Sequence, residues 1–156
     1  MVRDADIKNA VENARALLRK HGYDCGTTVE DFVLWFQADT PYDQGGEFDA
    51  VIHNPLLVAH ELVEIENVKA MGLKLTKDVI VKNMQMVDDA HLKATRIELD
   101  LAICLKDVQH IGERLDHIRM WLDDPSVTCE NKEQYRRLRA TTVETLARLS
   151  KEMADE

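Results

Sequence analysis

From Val79 to Leu122 apolar residues recur at spacings of three and four: Val79, Ile80, Met86, Val87, Ala90, Ala94, Ile97, Leu101, Leu105, Val108, Ile111, Leu115, Ile118 and Leu122. This is the signature of a helical face packed against other helices. Nothing between them stops a helix cleanly. A continuous helix of about 46 residues over 77–122 would be roughly 70 Å long, whereas a compact domain of this size is roughly 35–45 Å across. Two solutions follow. Either the chain turns between Leu105 and Gly112 to give two antiparallel helices, or one long helix (77–122) protrudes and is shared with a dimer partner. The turn is the preferred expectation.

The rest of the chain reads the same way. Ile7, Ala10, Val11, Ala14, Leu17 and Leu18 form one apolar helical face, with Asp4 or Asp6 as N-cap and Gly22 past the end. Thr27 or Thr28, with Glu30 or Asp31 three residues on, forms a capping-box pattern before the aromatic-rich run at Phe32–Phe36. These N-terminal helices span 5–38. A loop follows over 39–52, rich in Pro, Gly and Asp, with a single helical turn over EFDAVI. Asn54 and Pro55 read as N-cap and first helical position of a helix over 55–71, and Gly72 stops it. Thr76 caps the next helix, and Pro125 precedes a C-terminal helix over 131–153. No strand pattern emerges. The expected fold is all-α: a single domain (1–156) forming a bundle of five to six helices, mostly antiparallel and up-down.

The 156 residues are enough to bury a core without disulfides or a structural metal. The formal net charge of −9 repels a phosphate backbone, so nucleic acid is not an expected partner. Cys25, Cys104 and Cys129 are far apart and form no CxxC, which fits a reduced, cytoplasmic setting. No apolar run approaches the roughly 20 residues of a membrane span, so no membrane association is expected.

One stretch carries chemistry: HNPLLVAHELVE, residues 53–64. His60 and Glu64 are four apart and share a helical face, with Glu61 about 100° away around the helix. Apolar neighbours bury the pair, and a buried carboxylate needs a cation, a metal or a hydrogen-bond donor. A second set, Asp88, His91, Thr95 and Glu98, lies on a face that bundle packing should make apolar. Asp88 and His91 have the i, i+3 relation by which one helix offers two metal ligands. Breaks of patterning on an inner face mark functional sites. The candidate metal ligands are therefore His60, Glu64, Asp88 and His91, with His53 weaker; Glu61 and Glu98 are the candidate proton-transfer groups. An N and O ligand set of this kind suits Fe, Mn or Zn. His110, Glu113 and His117 form a third group, opposite Ile111, Leu115 and Ile118, and are expected either exposed or turned towards another helix or subunit.

No motif of an established family is complete. A hemerythrin-type HxxxH would need His where Thr95 follows His91, and HELVE ends in Glu64 where HExxH needs His. The ferritin-like carboxylate pattern needs two ExxH steps, and Asp88 to His91 approximates one. The sequence thus supports a small helical bundle with a divalent metal site for hydrolysis or redox chemistry. The alternative is a non-catalytic homodimer whose buried polar stripe orders a helix interface.

Overall fold

The computed structural model describes residues 1–41 and 47–156, and among these it forms eight helices and no strand. The architecture is all-α, as the periodicities require. The helices are α1 (Asp4–Lys20), α2 (Val29–Gln37), α3 (Glu47–Ile52), α4 (Pro55–Ala70), α5 (Val79–Lys82), α6 (Met84–Cys104), α7 (Val108–Asp123) and α8 (Cys129–Ala154). The loop expected over 39–52 contains α3, on the EFDAVI turn; its residues 42–46 lie outside the described residues. No helix among the described residues is long and apolar enough to cross a membrane.

The stripe over 77–122 is divided among three helices, so a single long helix is excluded and the count exceeds five to six. The first break is at Asn83, where φ is −133° and the side-chain amide donates to the Val79 carbonyl at 2.8 Å. Such a bond competes with the helical ladder. Thr76 does not cap α5 directly: its hydroxyl donates to Asp78 Oδ1 at 2.8 Å, and Asp78 holds the N-cap position. The second break is at Leu105–Asp107. Lys106 sits at φ 56°, Lys106 N donates to Ile103 O at 3.0 Å and Asp107 N to Ala102 O at 2.9 Å. This pair of bonds is the Schellman stop. Asp107 Oδ1 then accepts from His110 N at 3.0 Å and starts α7.

The chain packs as two compact units, residues 1–94 and 95–156. In the first, α4 is the central helix. Leu56, Val58, Ala59, Leu62, Val63, Ile65 and Val68 point in every direction around its axis and all are buried. A helix that is apolar all round must be enclosed on all sides. Val11, Ala14 and Leu18 of α1, Phe32 and Trp35 of α2, Val51 and Ile52 of α3, Val79 and Ile80 of α5, and Ala90, Leu92 and Ala94 of α6 are among the other buried side chains. Asn54 Oδ1 accepts from Leu56 N at 3.0 Å and fixes the start of α4; Gly72, at φ 88°, ends it. At α1 the N-cap is Arg3, whose backbone N–H donates to Asp6 Oδ2 at 3.1 Å; Asp4 and Asp6 lie inside the first turn.

Two polar ties fix the direction of α2 against α4. Lys69 Nζ meets Asp31 Oδ2 at 2.8 Å, and Trp35 Nε1 donates to Glu61 Oε2 at 3.0 Å. The partner numbers fall along α4 as they rise along α2, so the two helices run antiparallel. The segment entering α2 is fastened too: Thr27 Oγ1 donates to Leu62 O at 2.7 Å, while Tyr23 Oη at 2.7 Å and Gly26 N at 2.9 Å both donate to Glu66.

The second unit is built from the C-terminal part of α6 with α7 and α8. Leu99, Leu101, Ala102, Ile111, Leu115, Ile118, Tyr135 and Leu149 form its core. Thr128 caps α8 by accepting from Asn131 N at 3.2 Å.

Candidate metal centre

His60 and Glu64 project from successive turns of α4 into the interior of the first unit. They are only 4% and 5% exposed, and His60 Nε2 lies 3.3 Å from Glu64 Oε2. His91 reaches them from α6. Its ring meets that of His60 edge to face, with centroids 4.8 Å apart. One ligand atom from each of His60, Glu64 and His91 lies within 4.8 Å of the other two. Two imidazoles and a carboxylate on two helices form a donor set for a borderline divalent ion such as Fe, Mn or Zn.

Two further carboxylates act on this group. Glu61, half-buried, is pushed up to about 8 by burial first and by the Glu64 charge second; His60 and the Trp35 indole oppose the shift, and Glu47 adds to it. Glu47, the first residue of α3, is raised by burial and by Glu64, with His60 opposing. Neither Trp35 nor Glu47 figured among the sequence candidates. Both sit on other helices, and no spacing along the chain links them to His60. The capping box at Thr28 and Asp31, which sets where α2 begins, and the aromatic-rich run that follows it were the sequence signals bearing on Trp35.

The other sequence candidates fall elsewhere. Asp88 is half-buried one turn before His91 and is not among the three residues of the close group. His53 is exposed at the turn before α4. Glu98 belongs to the second unit, with no exposed surface. Its Oε1 accepts from Arg114 Nε at 2.8 Å and faces His110 Nε2 at 2.5 Å. A carboxylate only accepts, so His110 carries its proton on Nε2.

Of the third group, His110 is buried by this contact, whereas Glu113 and His117 are exposed. Arg114 Nη1 donates to His117 Nδ1 at 3.3 Å. The polar stripe from Asp88 to Glu98 is therefore two features: His91 joins α4 in the first unit, and Glu98 joins α7 in the second.

No family model, no curated protein and no solved structure matches this chain.

Proposed function

We propose that the protein binds a divalent transition metal through His60, Glu64 and His91, with Asp88 as an additional oxygen donor from the same helix as His91. The observation that carries this reading is the convergence of three ligand atoms from α4 and α6 within 4.8 Å in a buried position. Structural zinc sites are built with thiolate ligands, whereas sets of imidazole and carboxylate without thiolate are those of catalytic sites. The reading is accordingly a chemical centre rather than a staple, in which the ion activates a bound water for hydrolysis or engages a redox partner.

A metal-free structural pair is the competing reading, and the 3.3 Å separation of His60 Nε2 and Glu64 Oε2 favours it. The two diverge in elemental analysis of tag-free protein purified without chelator. The metal reading expects about one equivalent or more of Fe, Mn or Zn, lost in His91→Ala. Protein that carries no metal and takes none up on dialysis against each ion would establish the structural pair.

A further inference from the structure

Burial and charge together select what can reach the centre. His60 and Glu64 are only 4% and 5% exposed, on a helix whose apolar side chains are buried all round its axis. On the α2 side the buried Trp35 is tied to α4, its indole N–H donating to Glu61 Oε2 at 3.0 Å. His91, half-buried on α6, is the most accessible of the three candidate ligands. A peptide, a sugar or a nucleotide does not reach an ion held there without parting the helices. A molecule of two atoms does.

Charge narrows the class further. Among the described residues of the first unit every lysine and arginine is exposed except Arg15, which is half-buried and donates through Nε to Cys25 O at 3.2 Å. Phosphate and carboxylate ligands are characteristically gripped by arginine or lysine. A divalent ion over the single carboxylate of Glu64 keeps one positive charge, too little to balance a phosphate dianion in a desolvated position.

We propose that His60, Glu64 and His91 hold Fe²⁺ and leave its remaining positions to a small neutral ligand, a diatomic of the O₂ class. This inference rests on the metal reading above and names the ligand of that same centre. Two imidazoles and one carboxylate serve both zinc and ferrous iron, but the two ions differ in what they leave open: a tetrahedral zinc ion keeps a single position, a six-coordinate ferrous ion several. A hydrolytic zinc ion needs room for a substrate carbonyl beside its water. The ferrous ion needs room for the diatomic alone, and burial of His60 and Glu64 suits that smaller demand. Binding is a ligand exchange in which the diatomic takes a position that water vacates, and no bond within the protein breaks.

The test is anaerobic loading of the chelated, full-length chain with Fe²⁺, removal of unbound iron by desalting, and addition of nitric oxide. Nitric oxide is a neutral diatomic whose adduct with ferrous iron has half-integer spin and a strong EPR signal, where ferrous iron alone gives none. The expected result is stoichiometric iron and a nitrosyl signal that excess inorganic phosphate leaves unchanged. His91→Ala should lose both iron and signal. Iron retained without a nitrosyl signal would overturn the open positions and leave the metal reading intact. Zn²⁺ or Mn²⁺ retained where Fe²⁺ is not would overturn the ferrous assignment, again with the metal reading intact. Suppression of the signal by phosphate would overturn the neutral ligand class. Failure to retain Fe²⁺, Mn²⁺ or Zn²⁺ would overturn the metal reading and this inference with it. An unaltered signal in folded His91→Ala would overturn the role of His91. Should that variant lose its helical circular dichroism, the iron content and nitrosyl signal of the unmodified chain decide alone.

Discussion

His60 and His91 meet edge to face across α4 and α6, with ring centroids 4.8 Å apart and planes 67° apart. In this arrangement one ligand atom of each ring lies within 4.8 Å of a Glu64 carboxylate oxygen. His91 is half-buried, so truncating it disturbs packing less than it disturbs the ligand set. His91→Ala should weaken metal binding at least about 100-fold, the upper range seen when residues merely supporting a ligand are removed. Competition with a chromophoric chelator measures it, and circular dichroism should show the helices retained.

Metal should also stabilise the fold, since an unfolded chain does not hold His60, Glu64 and His91 together. Free metal at 100 times its dissociation constant adds about 2.7 kcal/mol, and for a chain of this size that moves the Tm by about 5–10 °C. The shift should vanish in His60→Ala. A Tm that Fe²⁺, Mn²⁺ and Zn²⁺ all leave unchanged would place the polar group among packing interactions.

In the second unit the decisive contact is Glu98 with Arg114. Both are buried, and the guanidinium reaches Glu98 Oε1 through Nε and Nη2, each at 2.8 Å. Glu98→Gln leaves the Arg114 charge without its counterion, at a cost of about 3–5 kcal/mol in urea denaturation. The Glu98→Leu/Arg114→Met double variant removes both charges together and should lie closer to the original stability than either single change.

His117 should titrate below its ordinary value of 6.5, because the partial desolvation of its ring disfavours the charged form and the Arg114 guanidinium beside it adds repulsion, against weaker opposing pulls from Glu98, Glu113 and Asp116. A guanidinium only donates, so the 3.3 Å contact from Arg114 Nη1 requires an unprotonated Nδ1. The folded chain thus binds fewer protons at His117 than the unfolded chain does. The stability gained from neutral His117 is full above 6.5 and is lost as pH falls through the lower folded value. Proton NMR of the His117 ring gives the midpoint directly, and a value at or above 6.5 would contradict the contact.

What the sequence conveyed follows from which devices were local. Asn54, Pro55 and Gly72 bracket α4, and Gly22 ends α1, because each adopts its special conformation for reasons internal to a few residues. The His60 and Glu64 pair was legible for the same reason, one helix sufficing to bring it together. Glu98 was read with His91 because they share one helix face, yet the partner that decides its role, Arg114, lies on α7. Spacing reports faces; it does not report what a face meets. Glu47 and Trp35 were beyond reach on that account.

The break between α6 and α7 was expected between Leu105 and Gly112 but could not be placed within that span, and Lys106 explains why. The C-terminal stops of α1 and α4 carry Gly22 and Gly72 at φ 83° and 88°, with Tyr23 N bonded to Leu18 O and Leu73 N to Val68 O. The stop of α6 has the same hydrogen bonds, Asp107 N to Ala102 O and Lys106 N to Ile103 O, but a lysine at φ 56°. A side chain in that left-handed region costs about 1–2 kcal/mol, which glycine does not incur. Glycine also gives the unfolded chain more freedom, and that offsets part of the gain. Lys106→Gly should therefore raise stability by about 0.5–1 kcal/mol, and Lys106→Val, β-branched and poorly suited to positive φ, should lower it. Urea denaturation of the three chains checks the order. Equal midpoints would mean that the turn relaxes out of the left-handed region, and that the contacts of α6 and α7 set its place rather than the residue at 106.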